Sequence, residues 1–187
     1  NVVVIHDERA DDPAYVDALE SFAADGGTLV CTDAGVQLLG ELDAGVDPAA
    51  VARDTFYLGH IAERVEDHPL LADTRPIQRE LWKIASLGYS EANEAPMHLV
   101  DEAAFTDAGG TVAGRTGGRV AAGTLPVGDG TVQVVGGMLP PASQAHLHPF
   151  GLLDYCVSFL AHTVLTNALG FEQVREKDGE VARRFGN

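Results

Sequence analysis

The sequence predicts an α/β fold: a three-layer, mostly parallel sheet with helices on both faces. Three observations carry this. Val2 to Ile5 is a continuous β-branched run, as in strands buried on both faces. Pro13 stands where helices begin, and Tyr15, Val16, Leu19, Phe22 and Ala23 then mark one helical face. Thr28 to Thr32 reads as a second strand and Ala34 to Leu42 as a short helix. Strand, helix, strand, helix is the signature of a parallel sheet covered by helices.

The elements follow in order. Gly26 or Gly27 supplies a left-handed cap for the first helix. Thr55 to Val65 reads as a strand or a short helix, and its aromatic and β-branched content favours strand. The segment "HPLLADTRPIQRELWKI" holds one or two helical turns between its prolines. Met97 to Val100 is a strand, Asp101 to Asp107 a helix stopped by Gly109-Gly110, and Thr111 to Arg115 another strand. Arg119 to Thr124 and Thr131 to Val135 form neighbouring strands joined at "VGDG", where Gly128 and Gly130 suit a tight turn. Residues 136–151 form a loop longer than a mere connection requires. Leu152, Cys156, Phe159, Leu160, Thr163, Val164 and Asn167 then hold a helical period that ends at Gly170. The 187 residues suit one domain over 1–187, with no internal repeat and with 172–187 as a charged, frayed tail. The chain opens on Asn1 inside a strand pattern, and it is expected to be a C-terminal piece of a longer protein.

Composition narrows the function. Apolar residues make up 45% of the chain, which excludes intrinsic disorder. The longest apolar stretch, Leu152 to Leu169, is interrupted by Asp154, Ser158, His162, Thr163, Thr166 and Asn167, so it reads as a buried or amphipathic helix and not a membrane span. Acids outnumber bases 28 to 12, for a net charge of −16, and only Lys83 and Lys177 are lysines. The acids are scattered, as on a solvated surface adapted to salt. Nothing here neutralises phosphates, so nucleic acid is not an expected partner.

Chemistry-bearing residues are few. Cys31 ends the second strand, where nucleophiles of α/β sheets sit. An elbow nucleophile wants small residues two positions before and after it, yet Cys31 has Leu29 and Asp33 there, and a nearby carboxylate disfavours a thiolate. Cys31 and Cys156 therefore read as buried free thiols, with their pairing left open. His60 and Glu63 have the H-x-x-E spacing of some zinc sites, but on a strand they point to opposite faces. His146, His148 and Asp154 offer a partial ligand set in the long loop. His68-Pro69 and His148-Pro149 suit imidazole-to-backbone bonds at turns. No phosphate-binding glycine fingerprint and no G-x-S-x-G is present. The expectation is no catalytic residue, no cofactor and no metal in this domain.

Taken together, "ALESFAADGGTLVCTD", "ERVEDHPLL", "VGDGTVQVVGG" and "LAHTVLTNALGF" resemble the class I glutamine-amidotransferase-like, flavodoxin-like superfamily. The likeness is to its branches without amidotransferase activity, among them trehalose-utilisation-protein-like domains and the middle domain of some β-galactosidases. True amidotransferases there carry a cysteine within G-x-C-x-G and a His-Pro-Glu-type dyad. Here Cys31 lacks the glycines, and His148-Pro149 is followed by Phe150. The segment "GGMLPPASQAHLHPFGLLDYCVSFLAHTVLTNALGF" is similar to the C-terminal end of secreted zinc carboxypeptidases of halophilic microbes. That resemblance implies a peptidase domain upstream of residue 1 holding the zinc ligands, the catalytic Glu and the substrate-binding Arg, and an extracellular location.

The function expected is thus a non-catalytic accessory domain of a larger zinc metallocarboxypeptidase, with that upstream domain as its partner. The alternatives are a stand-alone hydrolase or transferase using Cys31 or Asp33 with His148, and a carbohydrate- or small-ligand-binding module with the Pro140-to-Gly151 loop as lid. The charge makes a first prediction. Screening with a Debye length of about 3 Å at 1 M salt removes self-repulsion, so the melting temperature should rise from dilute buffer to molar KCl. An unchanged midpoint would contradict it.

Overall fold

The computed structural model describes residues 1–4, 9–57, 63–64, 68–72, 94–136 and 164–170. These form an α/β arrangement around one mixed sheet. Strand β1 is Val2–Val4, followed by helix α1, Pro13–Ala24, and strand β2, Thr28–Thr32. A 3-10 helix, Asp33–Gly40, continues directly from β2, and another short turn spans Pro48–Ala50. Strands β3, Val51–Tyr57, and β4, Glu63–Arg64, precede a 3-10 turn at Pro69–Leu71. Strand β5, Glu94–Asp101, leads into helix α2, Glu102–Asp107. Strands β6, Thr111–Thr116, β7, Arg119–Val127, and β8, Gly130–Val135, complete the sheet, and residues 164–168 are helical.

Helix α1 buries Val16, Leu19 and Ala23 on one face, and the expected left-handed residue after it is Gly26, with φ +95°. The crossover through α1 makes β1 and β2 parallel, in register Val4↔Cys31, because a parallel pair needs a long return. β2 pairs in parallel with β8, Cys31 opposite Val134. The expected predominance of parallel pairing stops there. The other ladders, β3–β5, β4–β6, β5–β7, β6–β7 and β7–β8, are antiparallel. The reason lies in the connections. Two-residue turns at Gly117-Gly118 and Gly128-Asp129 join β6 to β7 and β7 to β8, and such turns reverse the chain.

Other boundaries move as well. The strand expected from Thr55 begins at Val51, and the helix expected over Ala34 to Leu42 is a 3-10 helix. β5 runs three residues ahead of the expected Met97, and β7 extends to Val127. The loop after Gly136, the segment 73–93, most of the helix expected over 151–169 and the tail 172–187 lie outside the described residues. Among the described residues no helix is long and apolar enough to cross a membrane.

Alternation along the strands sends side chains into two apolar clusters. One holds Leu29, Cys31, Val132 and Val134 of the sheet with Val16, Leu19 and Ala23 of α1, Val36 and Leu39 of the 3-10 helix, and Phe105 of α2. The other holds Val30, Leu99, Ala121 and Val135 with Leu70, Leu71, Val164 and Ala168. Asn167 ties the second cluster together, donating from its side-chain amide to the carbonyls of Leu70 and Ala72.

β7 is the branch point. β8 lies along it from Val127 back to Ala122, and then β5 takes over, with Val100 opposite Val120. Gly136, the residue after β8, makes the join: its N–H donates to the Ala121 carbonyl and its carbonyl accepts from the His98 N–H, each at 2.8 Å. A Cβ on Gly136 would run into the His98 carbonyl. Gly136→Ala should therefore lower stability by about 1–3 kcal/mol, the cost of overpacking, read as a lower urea midpoint. An unchanged midpoint would mean that the join is not as tight as described.

Candidate functional site at the tip of strand β2

β2 lies between β1 and β8, and its last residues arrive at the sheet edge where β8 ends and β5 begins. Cys31 is opposite Val4 on one side and Val134 on the other, is fully buried, and is a free thiol. Burial pushes its thiol pKa up to about 12, since a thiolate there would lose its hydration with nothing in exchange. The nucleophile considered in the sequence is thus a core side chain packed toward α1. Cys156 lies outside the described residues.

The backbone changes character two residues later. Asp33 has φ +51° and is the only non-glycine residue with positive φ among the described residues. That conformation costs an L-residue about 1–2 kcal/mol, least for Asp and Asn. Asp33 is also the first residue of the 3-10 helix, so the strand-to-helix elbow is centred on it and not on Cys31. The residues two before and two after are Cys31 and Gly35, both small and both buried. In "CTDAG" the residue at the elbow thus has a small side chain two positions to each side, the spacing of an elbow motif.

The partner of Asp33 comes from β5. His98 is almost wholly buried, its side chain 5% exposed against 21% for Asp33, and its Nδ1 lies 3.4 Å from Asp33 Oδ1. The pair is close enough for ion pairing but not aligned as a hydrogen bond, so Nδ1 is a buried nitrogen without a hydrogen-bond partner among the described residues. Its backbone is held by the Gly136 join. Asp33, at the start of the 3-10 helix, and His98, on β5, are thus brought together beside the end of β8.

The remaining sequence candidates divide. His68 does what a turn imidazole was expected to do: Nδ1 accepts from the Leu70 N–H at 3.1 Å, while Nε2 is 3.1 Å from Thr111 Oγ1. Burial lowers its pKa, against a hydrogen bond at Thr111 that acts the other way. Glu63 lies on β4, whereas His60, His146, His148 and Asp154 lie outside the described residues. Among the described residues no group of three or more His, Cys, Asp or Glu side chains could hold a metal ion. His98 was missed in the sequence because Met97 to Val100 reads as an ordinary strand. Its signal was a lone imidazole between Met97 and Leu99 in an otherwise apolar run.

No protein-family model and no curated protein matches the chain. Solved structures similar to it include a β-galactosidase from Bacillus circulans sp. alkalophilus, at 14% identity and a TM-score of 0.43 over 91% of this chain and 21% of that one. A cytoplasmic protein of Salmonella typhimurium LT2 is similar at 13% identity and a TM-score of 0.43, over 80% of this chain and 60% of that one. Another cytoplasmic protein of Salmonella typhimurium gives 11% identity and 0.41, over 86% and 70%. The chain thus spans about a fifth of the β-galactosidase and three fifths of the first Salmonella protein.

Two predictions follow from the thiol. In the folded protein Cys31 should resist iodoacetamide at neutral pH and react on unfolding; rapid alkylation of the native protein would place it at the surface. The folded thiol titrates above its ordinary 9.0, at about 12. The unfolded chain therefore loses that proton first, and this group's contribution to stability falls as pH rises from about 9 to 12. Cys31→Ala should flatten that part of the stability-pH curve, and an unchanged slope would contradict the assignment.

Proposed function

We propose that the chain is an accessory α/β domain, of the three-layer, flavodoxin- and amidotransferase-like kind, that performs no thiol chemistry. In this reading it belongs to a larger secreted zinc metallocarboxypeptidase and packs on, or helps position substrate for, a peptidase domain upstream of residue 1. The observation that carries the proposal is the burial of Cys31 in the core, with its thiol raised to about 12. A glutaminase-type nucleophile needs the reverse, an accessible sulfur with a depressed pKa. The two apolar clusters on alternate faces of the strands, one with α1 and one with residues 164–168, are what a three-layer packing requires. The acid-rich composition suits the halophilic setting of the peptidases it resembles. Zinc is the cofactor of the upstream domain in this reading, and this domain carries none.

A paired assay in molar KCl tests it, on the longer protein that contains the chain and on the chain alone. Bound zinc and release of C-terminal residues from N-blocked peptides are expected in the former and absent from the latter. A longer protein without zinc or peptidase activity would overturn the reading. So would glutamine hydrolysis by the isolated chain.

A further inference from the structure

The Asp33–His98 pair is more than a strand end requires. A residue that only ended β2 would leave the strand with ordinary negative φ, and a buried histidine placed for packing alone would have its ring nitrogens hydrogen-bonded. Here the left-handed turn lifts the Asp33 carboxylate to the tip of β2, between small buried flanks, and the imidazole stands beside it with Nδ1 3.4 Å from Oδ1 and making no hydrogen bond among the described residues. A reactive group on a strained strand-to-helix elbow with a base in reach is the arrangement of covalent catalysis. Reach looser than an ideal hydrogen bond is usual when no substrate is bound. Strain at a site fixed by its surroundings is also where function concentrates.

We propose that Asp33 is a carboxylate nucleophile and His98 the base that serves it, in a hydrolytic site for uncharged alkyl substrates whose leaving group departs as a stable anion. This goes beyond the accessory role and does not depend on it. In the first step an Asp33 carboxylate oxygen bonds to the saturated carbon of the substrate, and the leaving group departs with the electron pair of the bond it loses. In the second, water gives one proton to His98 Nδ1, and the hydroxide adds to the carbonyl carbon of the Asp33 ester. The acyl–oxygen bond then breaks, the alcohol leaves with the proton from His98, and the carboxylic acid remaining on Asp33 ionises to solvent. The sum is hydrolysis of the carbon–leaving-group bond by one water, with no oxidation or reduction.

The two residues select this chemistry over its neighbours. Attack by a carboxylate on an acyl carbon gives an anhydride that water opens readily, which leaves the imidazole without a task. Attack on saturated carbon gives a stable ester, whose hydrolysis needs a base at that place. At ionic strengths that leave it unscreened, the net charge of −16 disfavours anionic substrates, and so points away from phosphate esters.

The test uses the full chain at high ionic strength with 1-bromobutane as probe, following bromide release and the mass of the peptide that contains Asp33. Wild-type protein should release bromide, and turnover in oxygen-18 water should leave the heavy isotope in the Asp33 carboxylate. His98→Gln should accumulate a butyl ester on Asp33, because the second step has lost its base. Asp33→Asn, which keeps a residue tolerant of the left-handed turn, should show neither ester nor bromide release. Failure of wild-type protein to release bromide or to take up the isotope overturns the proposal without recourse to a variant. An adduct on another residue, or bromide release that survives Asp33→Asn, also overturns it.

Discussion

The architecture where β2, β8 and β5 come together depends on one backbone join. β8 stops at Val135, and the next residue, Gly136, bonds on one side to β7 and on the other to β5. Because a side chain there would strike the His98 carbonyl, only glycine lets the strands approach so closely. β5 thereby continues along the edge of β7 that β8 has left, just beyond Thr32 and Val135, which are opposite each other at the ends of β2 and β8. A parallel arrangement meets an antiparallel one at this point. The join, together with the β5–β7 ladder, sets the imidazole of His98 beside Asp33.

The neighbourhood divides sharply between apolar and polar demands. One residue before the last of β2, Cys31 is sealed between Val4 and Val134, and desolvation removes its acidity. Two residues further on, Asp33 has escaped the ladder by a left-handed turn and keeps part of its carboxylate in contact with solvent. The hydrophobic clusters on the two faces hold β2 rigidly up to that turn, so the conformational cost at Asp33 is sustained by packing elsewhere. Rigidity of the strand and strain at its tip are two consequences of the same burial.

Much of this fold was legible because its signals are local. Pro13, the Val16–Leu19–Ala23 face, the cap at Gly26 and the turn at Gly128 each act within a few residues, and each is found where the pattern placed it. What escaped the sequence depends on distant partners. The antiparallel majority could have been inferred from the Gly117-Gly118 and Gly128-Asp129 turns, but the branching of β7 into β8 and β5 has no local signature. The candidate site shows the same division. The sequence places Cys31 and Asp33 at the tip of β2, but the bulky Leu29 beside the thiol draws attention away from the "CTDAG" pattern centred two residues later. His98 is 65 positions away from Asp33, and the Gly136 join and the β5–β7 ladder, neither of them local in sequence, bring it near.

The adjacency of those two side chains is the central claim, and the ring nitrogens of the histidines report it directly. In long-range proton–nitrogen NMR spectra, replacing Asp33 by Asn should move the Nδ1 resonance of His98 while leaving that of His68, bonded to Leu70 and Thr111, in place. A His98 resonance unmoved by the substitution would mean that the carboxylate and the imidazole do not meet, and the site at the tip of β2 would have to be abandoned.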